Sequence, residues 1–346
     1  MQNAANWNFI KQDKKFLDFY EKYKKNSDNI SIYYDHITAE HYFGDRFYFD
    51  IGFILNKNRI KTKPENNYEI LNFKNFTGYS QFIPTEYYPK DKKLIKLTQN
   101  SQGYSILDKR YKIIWSVKNP DQFYFTNHQI IFNMGQSSII CSNNKKEVLY
   151  LFSLLNFPAT KLLLEANLKN ENEKEYLVPV KTIKEFIHIP KITGDNQFIK
   201  NEIIKQTEKM LRLEEIKLND LVDFSKVMMQ KFDDAKVEKN NLVLVKDNKE
   251  IKLKIKNNPS LIKKALNNLI DSDKLKLEKG VINLNELKEL PIIDFELRDK
   301  IKNYIDDLVF ALYFNVSLEN LGLGNARGIK KECLKNVYYG VVNKKS

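Results

Sequence analysis

The sequence pattern changes near residue 145, and this change restricts the fold more than any other feature. Between residues 30 and 140, short runs rich in Ile, Tyr, Phe and Val alternate with turn formers such as Asn119-Pro120-Asp121. Such runs predict β-strands. Over residues 145–168 the apolar residues recur at helical spacing, and Pro158 is expected to kink or split that helix. The predicted class is therefore α+β.

Further elements follow from the spacing of apolar residues. Residues 6–25 predict an entry helix, and residues 197–233, which lack proline and glycine, predict one long helix. That long helix is interpreted either as a coiled-coil-like arm or as an amphipathic core helix. Val237–Ile255 alternates around Lys246-Asp247-Asn248-Lys249, which predicts a β-hairpin. The remaining predictions are strands at Tyr176–Val180 and Phe186–Ile189, and helices at Pro259–Leu269, Leu284–Leu290 and Asp299–Phe314.

The domain organisation follows from length and from the position of helix breakers. A chain of 346 residues is typical of two domains. Pro190 and Gly194 break regular secondary structure and mark the boundary between the two predicted domains. We therefore predict a helical entry segment at 1–29, a β-rich domain at 30–192, and a mainly helical domain at 197–346 with a long helix and a β-hairpin.

Composition excludes several classes of protein. Apolar residues make up 42% of the chain, which is enough to bury a core and excludes wholesale disorder. No stretch approaches the ~18 consecutive apolar residues of a membrane span. The two cysteines, Cys141 and Cys333, are too far apart in sequence for a disulfide framework or a zinc motif. We expect a cytoplasmic protein that does not contact a membrane.

Positive charge is concentrated in one segment. The net charge is +13, and residues 57–118 hold 13 basic and 5 acidic side chains, a net of +8. An AT-rich coding bias would raise lysine evenly, so it does not explain this cluster. Aromatic and amide side chains lie between the basic ones, and these three residue types together are typical of a nucleic-acid surface. The alternative interpretation is a set of lysine-rich, solvated strand loops.

Within this segment, lysines are expected to contact phosphates and to set the salt dependence of binding. Arginine and amide side chains are expected to read base edges, because they can form two hydrogen bonds with one base. The base readers predicted in this way are Asn58, Arg59, Asn100, Gln102 and Gln136. The complete set of predicted DNA contacts is Asn58, Arg59, Lys61, Lys63, Lys90, Lys92, Lys93, Asn100, Gln102, Lys109, Arg110, Lys112, Lys118 and Gln136.

Catalytic motifs are scarce in this sequence. There is no glycine-rich phosphate loop, no methyltransferase motif, and no metal-ligand spacing among the four histidines, which are interpreted as scattered structural or surface residues. Of three Glu-x-Lys occurrences, Glu250–Lys252 lies on a predicted strand with Asp233 and Asp234 upstream, as a PD-(D/E)xK nuclease requires. We expect a binding protein rather than an enzyme, with no cofactor or metal in this chain.

Several short motifs occur in a fixed order along nearly the whole chain. They are Trp7-Asn8-Phe9, Phe49-Asp50-Ile51-Gly52-Phe53, Asn58-Arg59-Ile60-Lys61-Thr62, Tyr111-Lys112-Ile113-Ile114-Trp115, Leu149–Asn156, Ile187-His188-Ile189-Pro190 and Ile305–Val316. In this order they resemble the target-recognition domain at the C-terminal end of type IIG restriction–modification enzymes and of related TaqI-like adenine-N6 DNA methyltransferases.

The resemblance implies a specificity subunit or domain that reads double-stranded DNA and positions an adenine-N6 methyltransferase, and often an endonuclease, for DNA methylation and restriction. No methyltransferase precedes the motifs, so S-adenosylmethionine and Mg²⁺ are expected on a catalytic partner. Two alternatives remain open. One is a protein-interaction module that uses residues 197–233. The other is a Mg²⁺-dependent nuclease subunit that uses Glu250 and Lys252.

Overall fold

The computed structural model describes residues 14–56, 65–99, 101–168, 175–271 and 282–315. The α-helices are α1 Lys14–Lys25, α2 Ile30–Tyr34, α3 His36–Phe43, α4 Ser105–Asp108, α5 Lys145–Leu155, α6 Pro158–Leu168, α7 Val180–Phe186, α8 Gln197–Glu214, α9 Leu218–Leu221, α10 Pro259–Asp271, α11 Leu284–Lys288 and α12 Phe295–Phe314. A short 3-10 helix spans Phe73–Asn75.

The strands are β1 Ser27–Asn29, β2 Tyr48–Asp50, β3 Ile54–Leu55, β4 Asn67–Ile70, β5 Phe76–Thr77, β6 Gln81–Phe82, β7 Tyr87–Pro89, β8 Ile95–Lys96, β9 Tyr111–Ser116, β10 Tyr124–Thr126, β11 Ile130–Ile131, β12 Ser137–Ser142, β13 His188–Pro190, β14 Lys231–Phe232, β15 Asp234–Glu238, β16 Asn241–Lys246, β17 Lys249–Lys254 and β18 Ile282–Asn283. Helices and sheets therefore both make up the described protein, in agreement with the predicted mixture.

The chain divides into two compact units. The first contains Met1–Glu208 and Ile301–Ser346, and the second contains Lys209–Lys300. The predicted division near 190–196 lies earlier, because the first twelve residues of α8 belong to the first unit. There, the Lys200 ammonium lies 2.7 Å from the Glu147 carboxylate on α5, with both side chains nearly buried. The predicted domain at 197–346 is also divided at its other end, because Ile301–Ser346 belongs to the first unit.

Two sheets of the first unit share one hydrophobic core. The larger sheet is antiparallel, with strand order β10-β9-β12-β2, and the smaller has the order β11-β4-β7. In the smaller sheet β11 and β4 are parallel, while β4 and β7 are antiparallel. Ile114 and Ile139 from the larger sheet and Ile70 and Ile131 from the smaller one belong to the same buried cluster. Burying this apolar surface fixes both sheets in the first unit.

Helix α5 covers the larger sheet and ends as the sequence predicts. The Asn144 side chain accepts a hydrogen bond from the Glu147 backbone N–H at 3.2 Å, which caps the helix start. Residues Glu147 to Leu155 are all buried. The helix stops before Pro158, and the next helical stretch, Pro158–Glu165, is bent from α5 by 60°. The predicted break at Pro158 is therefore confirmed.

Gly52 allows the strands of the two sheets to approach each other closely. Its φ is +90°, a conformation that side chains with a Cβ rarely adopt. A Cβ at this position would lie 2.6 Å from the Phe132 ring and 2.9 Å from the Phe132 carbonyl oxygen. This close approach lets the Phe53 N–H donate to the Phe132 carbonyl at 3.1 Å.

The second unit is a small α+β structure built around the predicted hairpin. Strands β15, β16 and β17 form an antiparallel meander, which has one strand more than the hairpin prediction. Asp247 and Asn248, with φ of 48° and 60°, form the two-residue turn between β16 and β17. Positive φ at both central residues is typical of a type I′ turn, which suits the twist of paired strands. One face of the meander contributes Ala235, Leu244 and Leu253 to a buried cluster.

Two secondary-structure predictions were wrong. The helix predicted over 197–233 ends at Glu214, because the Leu218 N–H pairs with the Leu290 carbonyl at 2.9 Å instead of continuing the helix. The helix is therefore shorter than its apolar spacing indicated, and the buried side chains of Ile203 and Met210 agree with the amphipathic core helix rather than with an arm. Tyr176–Val180 is not a strand: it forms a single bridge at Leu177, and Pro179 then opens helix α7.

Replacing Gly52 with alanine is expected to lower the free energy of unfolding by about 2–4 kcal/mol, since it combines an unfavourable φ with a clash in the core. Gly135 is the matched control, because its φ is +82° and nothing lies within 4 Å of the position that a Cβ would occupy. Gly135→Ala should cost about 1 kcal/mol. Urea unfolding of both variants measures the difference, and equal losses would contradict the close packing at Gly52.

Candidate nucleic-acid interface

A buried carboxylate holds the segment that follows residue 100 against the larger sheet. Asp50, at the end of β2, is 1% exposed. Its Oδ2 accepts the Gln102 backbone N–H at 2.7 Å, and its Oδ1 accepts the Gly52 N–H at 2.9 Å. Burial raises the pKa of Asp50, and these hydrogen bonds oppose that rise. Asp50 thus fixes the position of Ser101 and Gln102 beside β2.

Gln102 has a structural role that differs from its predicted one. Its side-chain carbonyl accepts the Phe49 backbone N–H at 2.8 Å, while its own N–H is held by Asp50. The side chain is half-buried and its acceptor oxygen is already occupied. We therefore assign Gln102 to the positioning of this segment, rather than to base reading.

An exposed basic turn lies at residues 90–93, directly after β7. The Leu94 N–H donates to the Asp91 carbonyl at 3.0 Å, and the Lys93 N–H donates to the Asp91 carboxylate at 2.9 Å. The chain on either side of residues 57–64 pairs with the same stretch. Asn67 is the β-partner of Pro89, and the Asn56 N–H donates to the Leu94 carbonyl. The described residues that flank 57–64 therefore meet at the basic turn.

Two lysines of the basic turn, Lys90 and Lys92, lie over aromatic rings. The Lys90 ammonium donates to the Gln129 side-chain carbonyl and lies 5.2 Å from the centre of the Tyr68 ring. Lys92 lies 5.2 Å from the centre of the Tyr104 ring. Within the part of the chain that the structure describes, no carboxylate forms an ion pair with the ammonium of Lys90, Lys92 or Lys93. Their charges are exposed and remain available to an anionic partner.

The other predicted contacts have different environments. The Lys109 ammonium pairs with Asp45 at 2.8 Å and is 13% exposed, whereas Lys118 pairs with Glu175 at 2.7 Å on the surface. Arg110 is exposed over the Tyr111 ring, and Gln136 is exposed beside β12. Asn58, Arg59, Lys61, Lys63 and Asn100 lie outside the described residues.

Lys112 is a correction to the predicted set, because its side chain is buried within the fold. It is 1% exposed and lies opposite Cys141 in β12. Its ammonium donates to the Lys109 carbonyl, and burial lowers the pKa of Lys112 to about 8, against the attraction of Cys141, Asp108 and Glu69. An ammonium in this position does not reach a phosphate, so Lys112 belongs to the core.

Sequence reasoning missed one pair of residues in this region, His128 and Glu69. The His128 Nδ1 lies 2.7 Å from the Glu69 Oε2. The Glu69 N–H also donates to the Gln129 carbonyl at 2.9 Å, which places the pair next to the Lys90–Gln129 contact. No spacing signal marks the pair, because β4 and β11 are joined by parallel pairing across about sixty residues of chain.

The second unit contains the residues of the nuclease hypothesis. Glu250 on β17 is exposed, and its carboxylate lies 3.2 Å from the Lys252 ammonium and 3.4 Å from that of Lys236. The pairing register places Asp234 opposite Val245, and Val245 opposite Glu250, so a third strand separates the two carboxylates. Among the described residues, no group of three His, Cys, Asp or Glu side chains is arranged to hold a metal ion.

Comparison with models of known protein families gives no match, and comparison with curated proteins gives none either. Among the described helices, no single one has both the length and the apolar character needed to cross a membrane. The bent pair Lys145–Leu155 and Pro158–Glu165 meets that criterion by length and composition only when its two helices are taken together.

Replacing Lys112 with methionine is expected to stabilise the protein at pH 7, by up to about 3 kcal/mol, because it removes the cost of burying an ammonium. The unfolded chain keeps this proton up to about pH 10.4, whereas the folded protein releases it near pH 8. Between those pH values the unfolded state binds more protons than the folded state. The destabilisation caused by Lys112 therefore decreases, and the free energy of unfolding of the wild type rises, as the pH increases.

The gain in free energy of unfolding from Lys112→Met, relative to the wild type, should therefore be largest below pH 8 and should decrease as the pH approaches 10. Urea unfolding of both proteins at pH 7 and pH 9.5 measures it. A variant that is destabilised equally at both pH values would contradict the burial of this ammonium.

Proposed function

We propose that this protein recognises double-stranded DNA in a sequence-specific manner, as the specificity component of a restriction–modification system. The observation that carries the proposal is the basic turn at residues 90–93. It is exposed, its three ammonium groups have no carboxylate partner among the described residues, and Asn56 and Asn67, on either side of the basic segment 57–64, pair beside it. Such a surface suits the phosphates of nucleic acid.

Side chains suited to base reading surround the same turn. Gln129 and Tyr68 contact Lys90, and Tyr104 lies beneath Lys92. The Gln129 side-chain oxygen accepts from Lys90, so Gln129 can offer a base edge its NH₂ group, while lysines contact the phosphate backbone. This combination distinguishes the region from a uniformly lysine-rich solvated surface, and it supports DNA reading over a non-specific anion site.

The proposed assignment of parts follows the family that the motifs resemble. In this assignment residues 30–192, which lie in the first unit, read the DNA, and the second unit, Lys209–Lys300, holds the catalytic partner. That partner is an adenine-N6 methyltransferase, with or without an endonuclease, and it supplies S-adenosylmethionine and Mg²⁺. This chain contributes recognition and positioning, and does not itself catalyse a reaction.

Reversing the charge of the basic turn tests the proposal. The triple variant K90E/K92E/K93E is expected to bind a mixed-sequence 40-bp duplex at least about 100-fold more weakly at 50 mM salt, since like charges then face the phosphates. The slope of log Kd against log salt should fall by roughly 2–3, about one for each lost phosphate contact. Fluorescence anisotropy over a salt series measures both quantities.

The matched control carries the same change in net charge elsewhere in the first unit. Lys146, Lys161 and Lys181 are exposed and lie near helix starts, where glutamate is favourable. The variant K146E/K161E/K181E should retain most of the affinity. Equal losses in both triples would show that only net charge matters, and salt-insensitive binding by the wild type would contradict the proposed function.

A further inference from the structure

The pair formed by His128 and Glu69 is built as an oriented contact. The Glu69 side chain is 11% exposed and the His128 side chain is 34% exposed, so the carboxylate lies behind the imidazole. An ionised carboxylate only accepts hydrogen bonds, so the Nδ1 that faces it carries the proton. The Glu69 carboxylate thereby decides which ring nitrogen is turned inward.

Two further contacts restrain His128. The edge of the ring meets the Phe82 ring, with centroids 5.6 Å apart and an interplanar angle of 87°. The His128 backbone N–H donates to the Thr126 hydroxyl at 3.1 Å, which holds the start of the turn. Among the described residues, Nε2 has no hydrogen-bond partner. One polar atom is thus left at a defined position on a fixed ring.

His128 also lies next to the basic turn. Its neighbour Gln129 accepts the hydrogen bond from the Lys90 ammonium, and Lys90 lies over the Tyr68 ring. Strands β4, β7 and β11 therefore bring an imidazole, an amide, an ammonium and a phenol together from segments that are distant in sequence. These groups combine phosphate attraction with hydrogen-bonding atoms of fixed direction.

We propose that His128 is a base-reading residue, which contacts the edge of one base through Nε2 and is positioned by Glu69. The inference rests on the proposed function and goes beyond it by naming a specificity-determining residue. A phosphate contact is less suited to this site, because the Glu69 carboxylate behind the ring opposes an approaching anion. A fixed ring orientation is what hydrogen-bond readout of a base edge requires.

Selection of bound sequences from a pool of random duplexes tests this role in the full-length chain. Three variants are compared with the wild type: H128N, H128Q and K90A. The asparagine amide can take the place of Nδ1 beside Glu69 while removing Nε2, so H128N preserves the inner hydrogen bond. The glutamine amide extends to the position of Nε2. Lys90→Ala removes a neighbouring charge and leaves the imidazole in place.

The wild type is expected to enrich one short sequence. H128N should enrich the same sequence with one position relaxed, where discrimination between bases falls about 10- to 100-fold. H128Q should retain part of that discrimination, and K90A should bind all sequences more weakly with every position preserved. A purely structural role for His128 would instead weaken binding at all positions alike.

The outcomes separate this inference from the proposed function. If the wild type enriches no sequence, the proposed function fails and the role of His128 fails with it. If the wild type enriches a sequence and H128N enriches the identical sequence at every position, the inference is overturned while the proposed function stands. A uniform loss of affinity in H128N, with no position relaxed, also overturns the inference.

Discussion

The segment from Phe49 to Phe53 determines the geometry on which the candidate interface depends. Its buried Asp50 carboxylate accepts N–H groups from both Gly52 and Gln102, and so joins β2 to a segment fifty residues further along the chain. Gly52 then lets the chain pass within contact distance of Phe132. Because a buried carboxylate is costly unless it is hydrogen-bonded, this arrangement favours one conformation strongly.

Burial, rather than sequence position, divides the lysines of the basic cluster by role. Lys112 lies near the start of β9 and its side chain is buried, whereas Lys90, Lys92 and Lys93 follow the end of β7 and are exposed. Water solvates the exposed ammonium groups, so their charge has a low free-energy cost. An anionic partner can bind them and release counterions. Lysine is thus destabilising where its ammonium group is buried, and it is accessible to an anionic partner where that group is exposed.

Sequence patterns predicted most of the local structure. The break at Pro158 and the Asp247-Asn248 turn were predictable because proline and positive-φ residues act through their immediate neighbours. The helix end at Glu214 was not predictable, because a distant backbone partner, Leu290, replaces the next helical hydrogen bond. The charge cluster contains the basic turn, but it gives no sign of the His128–Glu69 pair, because parallel strand pairing leaves no spacing signal.

Lysine footprinting tests the central claim most directly, since it reports contact at named residues without any mutation. The full chain is treated with an amine-acetylating reagent with and without a random-sequence duplex, and modification is measured by mass spectrometry. DNA recognition by the basic turn predicts that the duplex protects Lys90, Lys92 and Lys93, while Lys146, Lys161 and Lys181 stay reactive. Equal reactivity of both sets with and without DNA would contradict the account.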